Sequence, residues 1–193
     1  TIPQLLRSVD VMIPVIAATT SYALMTLVMV AAPLAMVYVC GLPSIEATTA
    51  IQWHVVAMFA PSFITGWIIT RLGASLTSAL GLAMIAAAAI TALTGRTVIH
   101  FDIALILLGT GWNFGFIGAT AIVASSYRPA EADKVQGFHD IILFSTVALS
   151  SFSSGKVFTA FGWSVMNLVI WPVTILCLIL VLLQLRAAAR KPA

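Results

Sequence analysis

Apolar positions along the chain run in long unbroken stretches instead of alternating, and the polar residues gather in short gaps between them. A bilayer core about 30 Å thick is crossed by about 20 apolar residues in a helix. Six stretches meet that length: 11–39, 48–70, 75–94, 103–125, 135–155 and 165–185. The breaks hold turn residues and charge: Gly41-Leu42-Pro43, Arg71-Leu72-Gly73, Thr94-Gly95-Arg96, Tyr127-Arg128-Pro129 and Phe161-Gly162-Trp163. Membrane strands would need alternating segments of about 10 residues, so the pattern predicts an all-α integral membrane protein. No gap has room for a soluble domain, and residues 1–193 are expected to form a single six-helix bundle.

Composition narrows the classes further. The chain is 61% apolar and 8% charged, against about 45–50% and about 25% in a soluble domain. With a mean hydropathy of +1.11, an ordinary cytosolic enzyme, a disordered tail and a nucleic-acid-binding domain are excluded. Cys40 and Cys177 lie far apart in or beside apolar stretches, which is neither a disulfide framework nor a metal spacing. Lys and Arg are unevenly placed. Arg7, Arg71, Arg128, Lys134, Arg186, Arg190 and Lys191 fall on one side of the expected topology, and only Arg96 and Lys156 on the other. The asymmetry predicts a multi-pass protein of the cytoplasmic (inner) membrane, embedded in the lipid bilayer with both termini in the cytoplasm.

The six stretches differ in polarity. The third and sixth carry no ionisable group, which predicts peripheral, lipid-facing helices. The first, second, fourth and fifth hold Tyr22 and Thr26, Gln52 and His54, Asn113, and Gln136, His139 and Asp140. These four are expected to line something. The second and fifth also resemble each other: TGWIITRLG (65–73) aligns with SGKVFTAFG (154–162), with Gly66/Gly155, Thr70/Thr159 and Gly73/Gly162 identical. Each sits in the middle of a triplet. Three is odd, so two such triplets run through the membrane in opposite senses, the inverted repeat of secondary transporters.

These features resemble one half of a major facilitator superfamily (MFS) transporter. GWIITRLG (66–73) is similar to the family's loop motif G-x-x-x-D-R-x-G, with Gly66, Arg71 and Gly73 in place and Thr70 at the Asp position. YRPAEADKVQGFHD (127–140) resembles the Pro-Glu-Glu-Arg-x-x-x-x-Gly approach to the family's eleventh helix. The degenerate loop motif is typical of the second half of such transporters. The resemblance implies six transmembrane helices in two inverted three-helix repeats, helices seven to twelve of a twelve-helix protein. It implies an amino-terminal six-helix half as partner, which agrees with a first residue that is Thr1. The implied function is secondary active transport of a small solute by alternating access.

Several residues are candidates for that work. Asp140 shares a helix face with Gln136, Val147, Ser151 and Ser154, where a carboxylate either exchanges a coupled proton or braces Lys134 or Arg128 near the surface. Asn113 lies in the glycine-rich GTGWNFGFIGAT (109–120), where its amide either binds the substrate or bonds a neighbouring helix, with Trp112 as a stacking wall. Gln52 and His54 form a gate or an outer cavity wall, with Pro61 loosening their helix; Tyr22 and Thr26 form a comparable face in the first helix. No serine-protease elbow, paired metal ligands or phosphate loop is present, so no cofactor and no enzymatic activity is expected. The alternative is a six-helix permease subunit of an ATP-driven (ABC-type) transporter, which Glu131-Ala132 with Gly137 faintly echoes.

Overall fold

The computed structural model describes Gln4 and residues 7–189; Arg190 and Lys191 of the basic count lie outside the described residues. Those residues are helical almost throughout. Helix α1, Val9–Leu34, continues into a π-helical turn at Ala35–Val39. There the Cys40 N–H bonds the Ala35 carbonyl at 3.0 Å. Gly41, at φ +66°, ends it in a left-handed conformation open to glycine. Helices α2 (Ser44–Phe59) and α3 (Ser62–Leu72) follow, bent by 43° at Ala60-Pro61. Pro61 has no N–H to give the Ala57 carbonyl, so the ladder breaks where the sequence placed a loosened helix. Helix α4, Ala74–Thr94, begins directly after Gly73, and α5 spans Val98–Ser125. A 3₁₀ turn at Pro129–Glu131, in which the Arg128 N–H bonds the Glu131 carboxylate at 3.2 Å, leads into α6, Ala132–Ala189.

Here the structure differs from the six separate stretches. The expected fifth and sixth helices form one 58-residue element, out of helical geometry only at Gly162 (φ 75°, ψ 173°). The packing shows what happens there. Going up α6, Val135 packs with Val11 and Val15, Ser150 Oγ donates to the Ala23 carbonyl, and Ser154 Oγ donates to that of Leu27, both at 2.6 Å. Beyond Gly162 the contacts run back down α1, with Cys177 and Val181 among Ala17 and Ala18, and Gln184 reaching the Asp10 carbonyl. So α6 is a hairpin of two segments, 132–161 and 163–189. A single glycine makes the turn because its backbone conformation is one that L side chains rarely adopt. Among the described residues, four helices qualify by length and apolarity to cross a membrane, or five when the bent α2–α3 pair counts as one. The all-helical, apolar architecture is that of a multi-pass membrane protein.

Helix α5 is the hub, packed on α1, α2 and α4. Its core residues Phe101, Leu105 and Leu108 join Met25, Met36 and Ile85 in the largest apolar cluster. Trp163, just past the turn, bonds the Ala92 carbonyl through Nε1 at 3.2 Å and packs on Phe101. The crossing of α4 and α5 is made of glycine: a Cβ on Gly111 or Gly118 would collide with the α4 backbone, and one on Gly81 with that of α5. Helices buried in lipid gain nothing from hiding apolar surface, so close backbone contact of this kind is what holds them together.

Candidate functional site

Midway along α5, polar and aromatic groups of α1, α2, α3 and α5 come together. Asn113 is fully buried. Its Nδ2 donates to the Met58 carbonyl and to Ser62 Oγ, each at 2.7 Å. The Thr65 hydroxyl lies 2.6 Å from Asn113 Oδ1 and 2.8 Å from the Pro61 carbonyl, and shares its proton between them. These partners straddle the α2–α3 break. The carboxamide therefore replaces helical hydrogen bonds that the bend removes, and its own donors and acceptor are engaged within the chain.

One turn and more toward the other end of α2, His54 is also fully buried. Its Nδ1 sits 2.7 Å from the Leu105 carbonyl; a carbonyl only accepts, so Nδ1 carries the proton. Nε2 has no partner. Gly109 lies beneath it, where a Cβ would come within 2.7 Å of the His54 carbonyl oxygen.

Above Asn113 stands an aromatic cluster. Tyr22 of α1 meets Trp112 and Phe116 of α5 edge-on, with ring centroids 5.2 and 5.4 Å away. Trp112 and Phe116, one turn apart, lie parallel within 8° at 5.4 Å. Phe59, at the end of α2, approaches Trp112 edge-on at 5.9 Å. The Trp112 indole N–H has no acceptor. Tyr22 and Trp112 were read from the sequence; Phe59 and Phe116 were not, although the four-residue step from Trp112 to Phe116 puts both rings on one helix face.

The remaining candidates lie elsewhere. Thr26 is buried in α1. Gln52 is exposed and, with Pro33, Val37, Ile51, Val55 and Val56, lines an open groove of about 650 Å³ between the far ends of α1 and α2. Gln136 donates to the Tyr127 hydroxyl at 2.6 Å. Asp140 is exposed on α6 beside the buried His139. The stripe expected from Gln136 to Ser154 is divided: Ser151 is exposed, whereas Ser154 turns inward onto α1. In the loop motif, Gly66 is exposed in α3, Arg71 holds its guanidinium 5.4 Å from the Trp67 ring, and Gly73 has φ +86°. Among the described residues no three His, Cys, Asp or Glu side chains gather where a metal ion could bind.

Comparison with known proteins places this arrangement. No family model and no solved structure matches the chain. It is 51% identical over 183 residues to a protein of Brucella anthropi named riboflavin transporter RfnT, an alignment covering 95% of this chain and 46% of the relative. Two Bacillus subtilis proteins named uncharacterized MFS-type transporters, YdeG and YddS, are 34% and 31% identical over 62% and 64% of the chain. The match spans about half the length of RfnT and less than a third of YdeG and YddS. They are transporters, and they do not favour the ATP-driven alternative or an enzyme. Apolar helices able to span a bilayer, the loop sequence at Gly66–Gly73 and these relatives agree: the chain is similar to MFS-type transporters.

Proposed function

We propose that the chain is the carboxy-terminal six-helix half of a twelve-helix secondary transporter, which moves a small solute across the cytoplasmic membrane by alternating access. The observation that carries the reading is a pair of matched breaks. Gly73 (φ 86°, ψ 156°) and Gly162 (φ 75°, ψ 173°) end the middle helix of each triplet in nearly the same backbone conformation. Ahead of them, the aligned Thr70 and Thr159 make the same hydroxyl bond to the carbonyl three residues back, at 2.7 and 3.1 Å. Equivalent local structure at aligned positions supports two copies of one three-helix unit, and triplets of that kind place the substrate site where the copies meet. The faces left open support a second bundle: α2 and α3 expose Val56, Phe59, Phe63 and Trp67, and the first segment of α6 exposes Phe144, Leu149 and Phe152. The name of the Brucella relative makes riboflavin the first solute to try. On this reading Asp140 and Gln136 belong to the cytoplasmic mouth, where Asp140 is the group available for a coupled proton, and Gln52 belongs to the outer mouth.

The test is transport. Residues 1–193 alone in liposomes are expected to give no solute flux, because alternating access needs a second bundle to rock against. Co-expression with the amino-terminal half is expected to restore it. Robust flux from the 193-residue chain by itself would defeat the proposal. Topology is tested separately, after Cys40 and Cys177 are replaced. Cysteines at Glu46, Arg96 and Lys156 are expected to react with an impermeant thiol reagent outside intact cells, and cysteines at Gly73, Ala130 and Ala188 are not. The reverse pattern would overturn the orientation.

A further inference from the structure

We infer that α3 is a rotor held by a catch: the Asn113 carboxamide and the Thr65 hydroxyl keep it in one rotational setting, and turnover requires the catch to release. The inference rests on the transport reading above and adds Thr65 to it as a positioning residue.

The rotor lies between two fixed blocks. On one side α2 is pinned to α5. His54 Nδ1 donates to the Leu105 carbonyl at 2.7 Å, and a Cβ on Gly109 would lie 2.7 Å from the His54 carbonyl oxygen. On the other side α4 meets α5 backbone to backbone at Gly81, Gly111 and Gly118. Of the 16 residues of α2, five are buried, and of the 21 of α4, nine. Of the 11 residues of α3, only Thr65 is buried.

Both ends of α3 are breaks. At its start Pro61 has no N–H to give. The backbone crosses there with a long bond, Phe63 N–H to the Ala60 carbonyl at 3.4 Å, and the Ile64 and Thr65 N–H groups share the Pro61 carbonyl. At its end Gly73 takes φ +86°, with open space where a Cβ would stand. A short rigid helix anchored through a break at each end keeps one soft motion, rotation about its own long axis. A few terminal residues absorb the φ/ψ change that this needs.

The catch opposes that rotation. On the α3 side, Asn113 Nδ2 donates to Ser62 Oγ at 2.7 Å, and the Thr65 hydroxyl lies 2.6 Å from Asn113 Oδ1. On the α2 side, Nδ2 also holds the Met58 carbonyl at 2.7 Å. When α3 turns, the Met58 bond stays, and the Thr65 hydroxyl keeps the Pro61 carbonyl of its own helix at 2.8 Å. The cost of release therefore falls mainly on Asn113 Oδ1. A penalty that small is what lets two settings be populated together.

The experiment is pulsed electron spin resonance on the full-length transporter in lipid nanodiscs, with native cysteines replaced. Spin labels go on the exposed Thr70 of α3 and Ser125 of α5. Two distances are expected. In Thr65→Val the second component is expected to gain about 3- to 18-fold on the first, the range for one interhelical hydrogen bond in a membrane. Labels at the exposed Thr48 of α2 and Ile99 of α5 are the control, and their distance is expected not to change. Riboflavin uptake is measured at matched amounts of folded protein. Thr65→Val is expected to lower its maximal rate while KM stays within about 2-fold of wild type. Thr65→Ser, which keeps the hydroxyl, is expected to restore the rate. A single Thr70–Ser125 distance unchanged by Thr65→Val would overturn the rotor. Equal broadening of both label pairs would overturn it too, as a general loosening of the bundle. A rise in KM as large as the loss of rate would overturn the catch and put Thr65 at the solute. Absence of riboflavin uptake by the wild-type protein would instead strike the transport reading, and the distances would still decide the rotor.

Discussion

Gly81→Leu is expected to leave no folded bundle. A Cβ at this position falls on the backbone nitrogen and Cα of Gly115 and within 2.5 Å of the Gly111 carbonyl oxygen. Backbone cannot rotate out of the way as a side chain can. Helices α4 and α5 would have to part, losing the Ser78 Oγ bond to the Gly115 carbonyl and the contacts of Leu82 and Ile85. Even Gly81→Ala is expected to cost about 3 kcal/mol, the upper end of ordinary overpacking. Gly137 is the control. It lies in α6 with nothing within 4 Å of its Cβ position, so Gly137→Ala is expected to be neutral or to stabilise by up to about 1 kcal/mol through helix propensity. Thermal melting of the membrane-extracted protein, followed by size-exclusion chromatography, reads both. A Gly81→Leu protein that melts like wild type would show that the α4–α5 crossing is looser than its geometry states.

Asn113→Leu is expected to cost about 2 kcal/mol and to slow transport more than it weakens solute binding. Leucine keeps the branching and the number of heavy atoms, and it strands the Met58 carbonyl at the α2–α3 break, where no helical donor replaces Asn113 Nδ2. The figure is restrained because single interhelical hydrogen bonds in membrane proteins measure about 0.6 kcal/mol on average, and Asn113 makes contact with three partners. A double-mutant cycle with Thr65→Val isolates one of them. Coupling of about 0.6–1.7 kcal/mol is expected. Strict additivity would mean that the 2.6 Å contact between Thr65 and Asn113 carries no net energy. A rise in Kd as large as the fall in turnover would return Asn113 to direct solute contact.

The sequence by itself determined the membrane class, because long apolar runs bounded by glycine, proline and charge have one stable solution in lipid, a helix with its own backbone satisfied. It also marked the breaks at Gly73 and Gly162 and, inside the single stretch 48–70, a helix loosened at Pro61. Pro61 lacks a donor, and Gly73 and Gly162 tolerate φ values closed to other residues, so all three act through local chemistry that needs no partner. The stretches read from hydropathy end at 155 and resume at 165, whereas in the structure only Gly162 leaves helical geometry, because a run of mixed polarity beside a turn can still be helix.

The tertiary structure decided which polar groups look inward and at what. His54 and Asp140 are both ionisable residues on apolar helices, yet one is sealed against Leu105 and the other is exposed. Helix periodicity fixes the angle between residues on one rod but not how the rod is rotated against its neighbours. That rotation is set by where α4 and α5 come close enough for Gly81 to meet Gly115, and by where Ser150 and Ser154 reach the carbonyls of α1. The same rotation gathers Tyr22, Phe59, Trp112 and Phe116 from three helices, a grouping between residues as many as 94 positions apart (Tyr22 to Phe116) that no local pattern encodes. Close packing of small residues is a property of two surfaces at once, and only the folded chain brings both surfaces together.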